Sequence, residues 1–465
     1  MGSVQPIAGT TSCLIRSMIC WFVIDLFFVR CIPCLERGIT FSVQIYDFFR
    51  FLIARHTEII IIFAIKLRMD SAEFILNHRT DDVRALALKK APEGVDMGWC
   101  LQQIEGWQLA CRKLPRWAGT EGIWFPPKLS MEQCSSEQTA LYKERLVMRL
   151  LPLEEQRHTC MDLTGGFGID FSYMARSFAH AIYVEQQPHL CDIARHNMPL
   201  LGLQHADILC QQTAPAGQAS LIYLDPARRD TAGRKTVAIE DCTPNVVELQ
   251  DELLQQSPLL IIKLSPMLDI TQALRSLHHV AEVHVVSVQG ECKELLIVIR
   301  DGWQQPVRFH CANLGSREEM LVCDEEQRRQ APTIADSLTE GLYLYEPNAS
   351  ILKANCQDAL CQRFSVQKLH PMSNLFVSDA LIADFPGRAF CIRDWGDFSK
   401  QSVKHLLADR KQANLTIRNF PATVAELRKK LKLKEGGTDY IFATTLANGR
   451  HALILTDKAH SQDPY

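Results

Sequence analysis

The sequence predicts an α/β protein whose central part is a parallel sheet with helices on both faces. Between residues 159 and 264, short apolar segments rich in β-branched residues alternate with helical segments, as in βαβ units. A glycine-rich turn, with Gly165, Gly166 and Gly168, follows the first apolar segment. Two later apolar segments, 280–288 and 293–300, have only four residues between them and should pair as an antiparallel hairpin.

The composition is that of a globular chain. Of its 465 residues, 47% are hydrophobic and 22% are charged, and the formal net charge is −3. These values exclude a disordered or collagen-like chain, and the length predicts two to four domains. A near-neutral chain has no overall attraction to nucleic acid or anionic lipid, so any such binding must come from a local patch.

Residues 1–68 differ from the rest. They carry a net charge of +3 and eight of the 21 phenylalanines, which leaves −6 for residues 69–465. The best apolar run, Met18 to Val29, contains Asp25 and is short of the about 20 residues that a membrane helix needs. Met69 opens a stretch typical of a cytosolic start. We therefore expect residues 1–68 to be an apolar extension outside the functional fold, from an over-extended start codon; a membrane-associating hairpin is the alternative.

The cysteines predict neither disulfides nor a metal site. Four of the 17 cysteines lie in residues 1–68, where Cys31 and Cys34 form a lone C-x-x-C pair, and the other thirteen are scattered between Cys100 and Cys391. Without a second pair at metal-ligand spacing, zinc is not indicated. We expect reduced thiols, no metal, no membrane segment in residues 69–465 and a cytoplasmic protein.

Three regions follow the extension. Residues 69–150 should be mostly helical, because apolar residues recur there at helical spacing, for example at Leu146 and Leu150. Residues 151–323 form the α/β core. The charged stretch 324–333 should be a structureless boundary, and residues 334–465 should form an α+β unit with strands near its end. The predicted core strands are 159–164, 181–185, 206–210, 220–225 and 259–264, and the predicted helices are 169–178, 189–200, 244–254 and 270–277.

Acidic residues beside the glycine-rich turn indicate an adenosine-containing cofactor. Asp162 precedes the turn, and Glu185 ends the second strand 17 residues after Gly168, close to the spacing of an acid that holds ribose hydroxyls. Asp207 on the third strand is a candidate for the adenine edge, or a solvated surface residue. A nicotinamide dinucleotide and S-adenosylmethionine compete here. The turn does not match G-x-G-x-x-G, and Asp162 suits a cationic ligand better than a pyrophosphate.

These features resemble the class I S-adenosylmethionine-dependent methyltransferases over residues 159–300. The resemblance implies a Rossmann-like, seven-stranded sheet with a terminal antiparallel hairpin. It also implies that S-adenosylmethionine is held by Asp162, Thr164, Gly165, Gly166, Gly168, Glu185 and Asp207.

The segment after the fourth strand is expected to face the methyl group. Asp225-Pro226-Ala227-Arg228 is similar to the Asp-Pro-Pro-Tyr-like segments of the family but lacks the aromatic residue that stacks on a base. The resemblance implies catalytic roles for Asp225, Pro226 and Arg228. Arg228 could grip a phosphate or form a structural ion pair.

Two nearby polar groups are less specific. Lys263 lies near the end of the fifth strand and could add charge near the substrate, or simply be a solvated strand-end lysine. Gln133 and Ser135 are candidates for a lid over the cofactor, although capping of the next helix by Ser135 or Ser136 explains the same residues and is preferred.

The flanking regions resemble an uncharacterised bacterial group of methyltransferases. Residues 125–147 are similar to a small ferredoxin-like domain that precedes the core, and residues 334–465 are similar to a THUMP-like domain that follows it. THUMP domains proper bind RNA, which implies an RNA partner by analogy. Next to Phe420, a cluster of Arg418, Lys429, Lys430 and Lys432 could hold a phosphate backbone, or be a solvated helix face.

The sequence thus predicts an S-adenosylmethionine-dependent methyltransferase that modifies a nucleobase in rRNA or tRNA. An RNA-binding or assembly protein with a non-catalytic nucleotide fold is the first alternative, and a small-molecule methyltransferase is the second.

Overall fold

The computed structural model describes residues 71–227, 238–408 and 410–459. The predicted extension 1–68 and Arg228 lie outside these ranges. The chain divides into two compact units, Met1–Leu101 and Gln102–Tyr465. In the described parts, no helix is both long and apolar enough to cross a membrane.

The described part of the first unit is helical. Residues 71–78 form a helix, and α1 (Val83–Ala87) begins where the carboxylate of Asp82 accepts a hydrogen bond from the Ala85 amide at 2.8 Å. Helix α2 (Met97–Lys113) starts in this unit. Its first turn is capped by Asp96, whose Oδ1 accepts from the Trp99 amide at 3.0 Å. Such capping satisfies amides that have no partner inside the helix.

The second unit begins with more helices. After α2 come α3 (Pro115–Ala118), α4 (Lys128–Gln133) and α5 (Glu137–Leu150). Ser136 caps α5, as expected for one of the two serines. Pro115 starts α3, where the missing N–H costs nothing. Described residues 71–150 contain no strand, so this region is helical as predicted and not ferredoxin-like.

A nine-stranded sheet forms the centre of the second unit. The strand order is β3-β2-β1-β4-β5-β7-β6-β8-β9. The first five strands run parallel, whereas β7 is antiparallel to both β5 and β6. The strands are β1 (Thr159–Asp162), β2 (His180–Glu185), β3 (Ala206–Cys210), β4 (Leu221–Leu224), β5 (Leu259–Leu264), β6 (Val280–Val288), β7 (Glu291–Arg300), β8 (Arg308–Leu314) and β9 (Glu319–Asp324).

The sheet confirms the α/β class and the hairpin, and it is wider than predicted. Strand β8 pairs parallel with β6, and β9 pairs antiparallel with β8, which adds two strands to the expected seven. The stretch 324–333 is also not structureless. It holds the end of β9 and helix α10 (Glu325–Arg328), which is stabilised by a capping box between Asp324 and Gln327.

Four core helices connect the parallel strands. They are α6 (Ile169–Met174), α7 (Pro188–Leu200), α8 (Val246–Gln256) and α9 (Ile270–Ser276). In the sheet register, Asp162 lies beside Tyr183 of β2 and Tyr223 of β4. The carboxyl ends of β1, β2, β4 and β5 therefore meet at one edge, where α/β sheets bind their ligands.

A second, seven-stranded sheet lies in the C-terminal part, in the order β11-β12-β10-β13-β16-β15-β14. Its strands are β10 (Tyr343–Pro347), β11 (Gln367–Lys368), β12 (Phe376–Ser378), β13 (Gly387–Asp397), β14 (Asn414–Ile417), β15 (Tyr440–Thr445) and β16 (His451–Lys458). Its helices are α11 (Ala349–Ala354), α12 (Ala359–Phe364), α13 (Lys400–Leu406) and α14 (Val424–Leu431). The predicted α+β character of this part is thus observed.

Candidate active site

The glycine-rich turn after β1 needs its glycines for local reasons. Gly166 and Gly168 have φ values of +57° and +84°, which L side chains rarely adopt. A Cβ on Gly165 would lie 2.1 Å from the ring of Tyr183. The Tyr183 hydroxyl donates to the carbonyl oxygen of Gly166, so the ring both fills the space beneath the turn and fixes its path.

Asp162 and Asp225 are joined through Thr164. Oδ1 of Asp162 accepts the Thr164 amide at 2.9 Å. The Thr164 hydroxyl in turn accepts the Asp225 amide at 2.6 Å. The loop after β1 and the loop after β4 are therefore held together at the sheet edge.

Asp162 is buried, with 1% of its surface exposed. Burial, with the nearby carboxylates of Asp170 and Asp225, raises the pKa of Asp162 to about 8 against the lowering effect of the Thr164 hydrogen bonds. A carboxyl group in this state gains stability from a cationic partner. That Asp162 faces a positively charged ligand group stays a prediction.

Glu185 ends β2 beside the same turn. Its Oε2 accepts the Gly166 amide at 2.9 Å, and its Oε1 accepts the Gln187 amide at 2.8 Å. Each carboxylate oxygen can accept more than one hydrogen bond, so both remain able to accept a sugar hydroxyl. Glu185 thus lies beside the glycine-rich turn at the end of β2, and its expected role toward a ribose stays a prediction.

Asp207 does not join this group. In the register of β2 and β3, Glu185 lies beside Cys210, whereas Asp207 lies beside Ile182, three residues nearer the start of its strand. Its side chain is 67% exposed and lies 3.4 Å from the His180 ring. Asp207 is therefore a solvated surface residue, which was the second of the two expectations for it. Gln211, the residue after β3, lies at the sheet edge instead. Its backbone amide donates to the Glu185 carbonyl at 3.0 Å.

Lys263 is not a solvated lysine. Its Nζ lies 2.5 Å from Oδ2 of Asp225, 3.1 Å from the Ser135 hydroxyl and 3.4 Å from Oδ2 of Asp170. Its side chain is only 12% exposed. Burial alone would lower the pKa of Lys263, but Asp225 and Asp170 raise it above its usual value, so the lysine stays cationic. Ser135 therefore belongs to this polar group and does not cap α5.

Behind these residues lies a second, fully buried lysine. Lys143 of α5 is 2.5 Å from Oε1 of Glu294 and 3.2 Å from Oδ1 of Asp170. Burial would raise the pKa of Asp170, but Lys143, Lys263 and hydrogen bonds from Ser135 and Tyr223 bring it down to about 2. An unpaired buried charge is costly. Removing any one of these charged groups would therefore destabilise the fold, and their mutual ion pairs hold the side chains in fixed positions.

Sequence reasoning missed Asp170, Lys143, Glu294 and Tyr223. Asp170 gave one signal, since it follows the glycine-rich turn directly in the first turn of α6. Lys143 and Glu294 lie 151 residues apart, and each reads as an ordinary charged residue within an otherwise amphipathic segment. Only the packing of α5 against the sheet brings them together.

The segment after β4 is fixed at Ala227. Its amide and carbonyl exchange hydrogen bonds with Thr243, at 2.8 and 2.9 Å. Pro226 is buried. The segment that begins at Asp225 is thus anchored up to Ala227, and the expected role of Arg228 stays a prediction because that residue lies outside the described ranges.

The predicted basic cluster divides into two parts. Lys429, Lys430 and Lys432 are exposed at the end of α14, and Nζ of Lys430 lies 4.4 Å from the ring centre of Phe398. Arg418 instead forms an ion pair with Glu346, which also accepts from Arg388. Arg418 is therefore engaged with a buried carboxylate, and the three lysines remain as the exposed basic surface.

Comparison with known proteins agrees with this geometry. Residues 343–386 match a ferredoxin-like domain model, and residues 387–458 match a THUMP domain-like model. A crystal structure from Porphyromonas gingivalis W83, described as that of a proposed methyltransferase, is 33% identical with a TM-score of 0.72, covering 84% of this chain and 98% of that one. Two Mycobacterium tuberculosis proteins (strains CDC 1551 and H37Rv), named as uncharacterised S-adenosylmethionine-dependent methyltransferases, are 23% identical over 277 residues, 59% of this chain and 73% of theirs.

These matches correct the expected positions of the accessory domains. The ferredoxin-like match follows the core at 343–386, not at the expected 125–147, where the structure has only helices. The THUMP-like match covers 387–458, the second part of the expected range 334–465. With the core sheet, the acidic strand ends and both accessory domains present, the chain belongs to the class I S-adenosylmethionine-dependent methyltransferases that carry ferredoxin-like and THUMP-like domains, and it is an enzyme that uses S-adenosylmethionine.

Proposed function

We propose that this enzyme methylates a nucleobase of RNA. The observation that carries the proposal is the exposed lysine surface of Lys429, Lys430 and Lys432, which lies within the THUMP-like match. Lysines at a helix end can contact successive phosphates. The stacking of Lys430 on Phe398 adds an aromatic face next to the charges, as in surfaces that bind single-stranded nucleic acid.

The cofactor is proposed to lie over the glycine-rich turn. The desolvated Asp162 would pair with its ammonium group, and Glu185 would accept its ribose hydroxyls. Thr164, Gly165, Gly166 and Gly168 would shape the turn that it lies against. When bound, S-adenosylmethionine supplies an activated methyl group, so the protein need only align the acceptor and exclude water.

On the acceptor side, we assign Asp225 to orienting an amine. Its ion pair with Lys263 holds the carboxylate in place, and its oxygens can accept a hydrogen bond from a substrate. Asp225 would therefore hold the N–H of the target so that the nitrogen lone pair points to the methyl carbon, and the proton would leave to solvent after transfer. Pro226 and Ala227 keep the loop in place, and Arg228 is proposed to meet a phosphate.

The cell compartment is proposed to be the cytoplasm. The thirteen cysteines of the described residues are all free thiols, as in proteins of a reducing compartment.

The substrate class can be tested by tritiated methyl transfer. The full chain is incubated with labelled S-adenosylmethionine and separate pools of RNA, protein and small molecules from a methylation-deficient extract, with Asp225→Asn as the matched inactive control. Label in RNA that is absent with the variant supports the proposal. Label only in small molecules would identify the enzyme as a small-molecule methyltransferase, and no label in any pool would favour a non-catalytic RNA-binding protein.

RNA contact is tested separately. Lys429→Glu with Lys430→Glu should weaken RNA binding equally across sequences and flatten its dependence on salt, because two phosphate contacts are lost. The control reverses Lys89 and Lys90, an exposed lysine pair outside the THUMP-like match. Equal affinities of the two double variants would remove the lysine surface from the proposal.

A further inference from the structure

Two histidines and a glutamate meet in the second half of the core sheet, away from the residues discussed above. Glu282 and His284 lie on β6, and His310 lies beside His284 on β8. All three are buried. No recognised ligand spacing along the chain indicated a metal, because His310 follows His284 by 26 residues and Glu282 by 28. The added strand β8 brings them together.

The three side chains bring their ligand atoms close together. Glu282 Oε2 lies 2.8 Å from His284 Nε2 and 3.6 Å from His310 Nε2, and one ligand atom from each residue lies within 4.8 Å of the others. Zinc-to-ligand bonds of about 2.0–2.2 Å place tetrahedral ligand atoms about 3.3 Å apart. The observed separations bracket that value, so small side-chain rotations suffice.

His310 supplies the second, independent observation. Its Nε2 atom is buried and has no hydrogen-bond partner among the described residues, although the residue is only 8% exposed. An unpaired buried polar atom is costly and calls for an explanation such as an ion. The two imidazole rings are stacked, with centres 4.4 Å apart and an angle of 14° between their planes.

The surroundings prepare the histidines to act as ligands. The Tyr142 hydroxyl of α5 lies 2.7 Å from Nδ1 of His284, so Nε2, which contacts Glu282, is the ring nitrogen that faces the other two residues; such outer contacts orient metal-bound histidines.

One cation competes for the glutamate. The Arg149 guanidinium donates to both oxygens of Glu282, at 3.0 Å for Oε1 and closer for Oε2. Arg149 holds the carboxylate in place, and half of its side chain is exposed, so its charge is partly screened by solvent. Since Glu282 can accept several bonds at once, a metal can share Oε2 while Arg149 keeps Oε1.

We propose that Glu282, His284 and His310 bind a divalent cation of the zinc class, with water completing the coordination. Two imidazoles and one carboxylate are typical ligands of zinc and its first-row neighbours and are not the all-oxygen set of magnesium or calcium. The site would join β6 to β8, and through Tyr142 to α5, so we assign it a structural role in holding the two added strands.

The experiment uses the full chain without a histidine tag. The protein is treated with chelator, dialysed and titrated with CoCl₂, and the visible absorption of protein-bound Co²⁺ is followed; Zn²⁺ is then added. We expect one equivalent of Co²⁺ with a tetrahedral or five-coordinate spectrum, its displacement by Zn²⁺, and an increase in Tm with Zn²⁺.

His310→Gln and His284→Gln, made separately, should each abolish the spectrum and the Zn²⁺-dependent increase in Tm. His278→Gln is the matched control, because His278 is half exposed and paired with Asp251 on the surface. Absence of stoichiometric Co²⁺ binding by the wild-type chain would overturn the proposal whatever the variants do. Binding that persists in His310→Gln would also overturn it, since His310 is then not a ligand.

Discussion

Lys263 Nζ lies 2.5 Å from Oδ2 of Asp225, and the same ammonium group contacts Asp170 at 3.4 Å. The proposed catalytic carboxylate is thus tied to the buried cluster of Lys143, Glu294 and Asp170 behind it. Asp225 is 40% exposed while Lys263 is 12% exposed. The lysine is therefore the fixed partner, and Asp225 is the group that can reach a substrate.

Removing the ammonium group should impair catalysis more than cofactor binding. In Lys263→Met, Asp225 loses its positioning partner, and a misplacement of about 1 Å can cost about 100-fold in rate. We expect kcat to fall by about that factor and the Kd for S-adenosylmethionine to change little, because Asp162 and Glu185 are untouched. Single-turnover methyl transfer and calorimetric titration measure the two quantities.

Lys293→Met is the matched control, since it removes a lysine from an exposed ion pair with Glu291. Lys263→Arg should restore much of the rate because it keeps a cation beside Asp225. A cofactor Kd that rises in proportion to the loss of kcat in Lys263→Met would instead place Lys263 in the cofactor site and contradict this positioning role.

The sequence predicted those parts of the fold that depend on local pattern. Strands β3, β5 and β6 begin and end at the predicted residues, because each is a short apolar run between polar or glycine signals. Asp162 and Glu185 both end a strand at this edge of the sheet, as the apolar runs indicated, and their roles toward the cofactor stay predictions. Asp207 was misplaced because being on a strand does not tell which end of it faces the site.

Features that depend on long-range packing were not predictable in this way. The lysine–carboxylate cluster joins residues from α5, α6, β5 and β7, and no spacing along the chain indicates it. Strands β8 and β9 were not assigned to the core sheet either, because their short apolar segments resemble those of the strands in the C-terminal part. The predicted position of the ferredoxin-like domain was wrong because residues 125–147, which are helical, have no strand pattern against which the resemblance could be tested.

The affinity for S-adenosylmethionine should depend on the ionisation of Asp162. Its pKa is raised to about 8, so below pH 8 most of the free enzyme has the neutral acid, which pairs weakly with an ammonium group. Each pH unit below 8 should then weaken binding by about tenfold relative to the ionised form. The ratio of wild-type to Asp162→Asn affinity should rise between pH 6 and 8 and level off above it, which calorimetry at several pH values would measure.

Stability gives an independent check on Asp162. Its folded-state pKa lies above the ordinary value of 3.8, so the native state binds the extra proton and ionisation opposes folding. Relative to Asp162→Asn, the wild-type chain without cofactor should lose stability as the pH rises from about 4 to about 8 and change no further above that. If neither the ratio of wild-type to Asp162→Asn affinity nor their difference in stability changed with pH, Asp162 would be ionised throughout this pH range.

Arg418 should act on stability and not on RNA binding. Glu346 is buried, with 4% of its side chain exposed, and is held by both Arg388 and Arg418; it lies in the ferredoxin-like match, and both arginines lie in the THUMP-like match. Arg418→Met removes one of two charged partners, and leaving a buried acceptor without its partner costs about 1–3 kcal/mol. We expect a loss of that size in urea unfolding, with an unchanged salt dependence of RNA binding.

Arg145→Met, at the exposed pair with Glu318, should cost less than about 1 kcal/mol. A flatter salt dependence in Arg418→Met at unchanged stability would return Arg418 to the RNA surface, because a residue that only joins two domains contributes no phosphate contact.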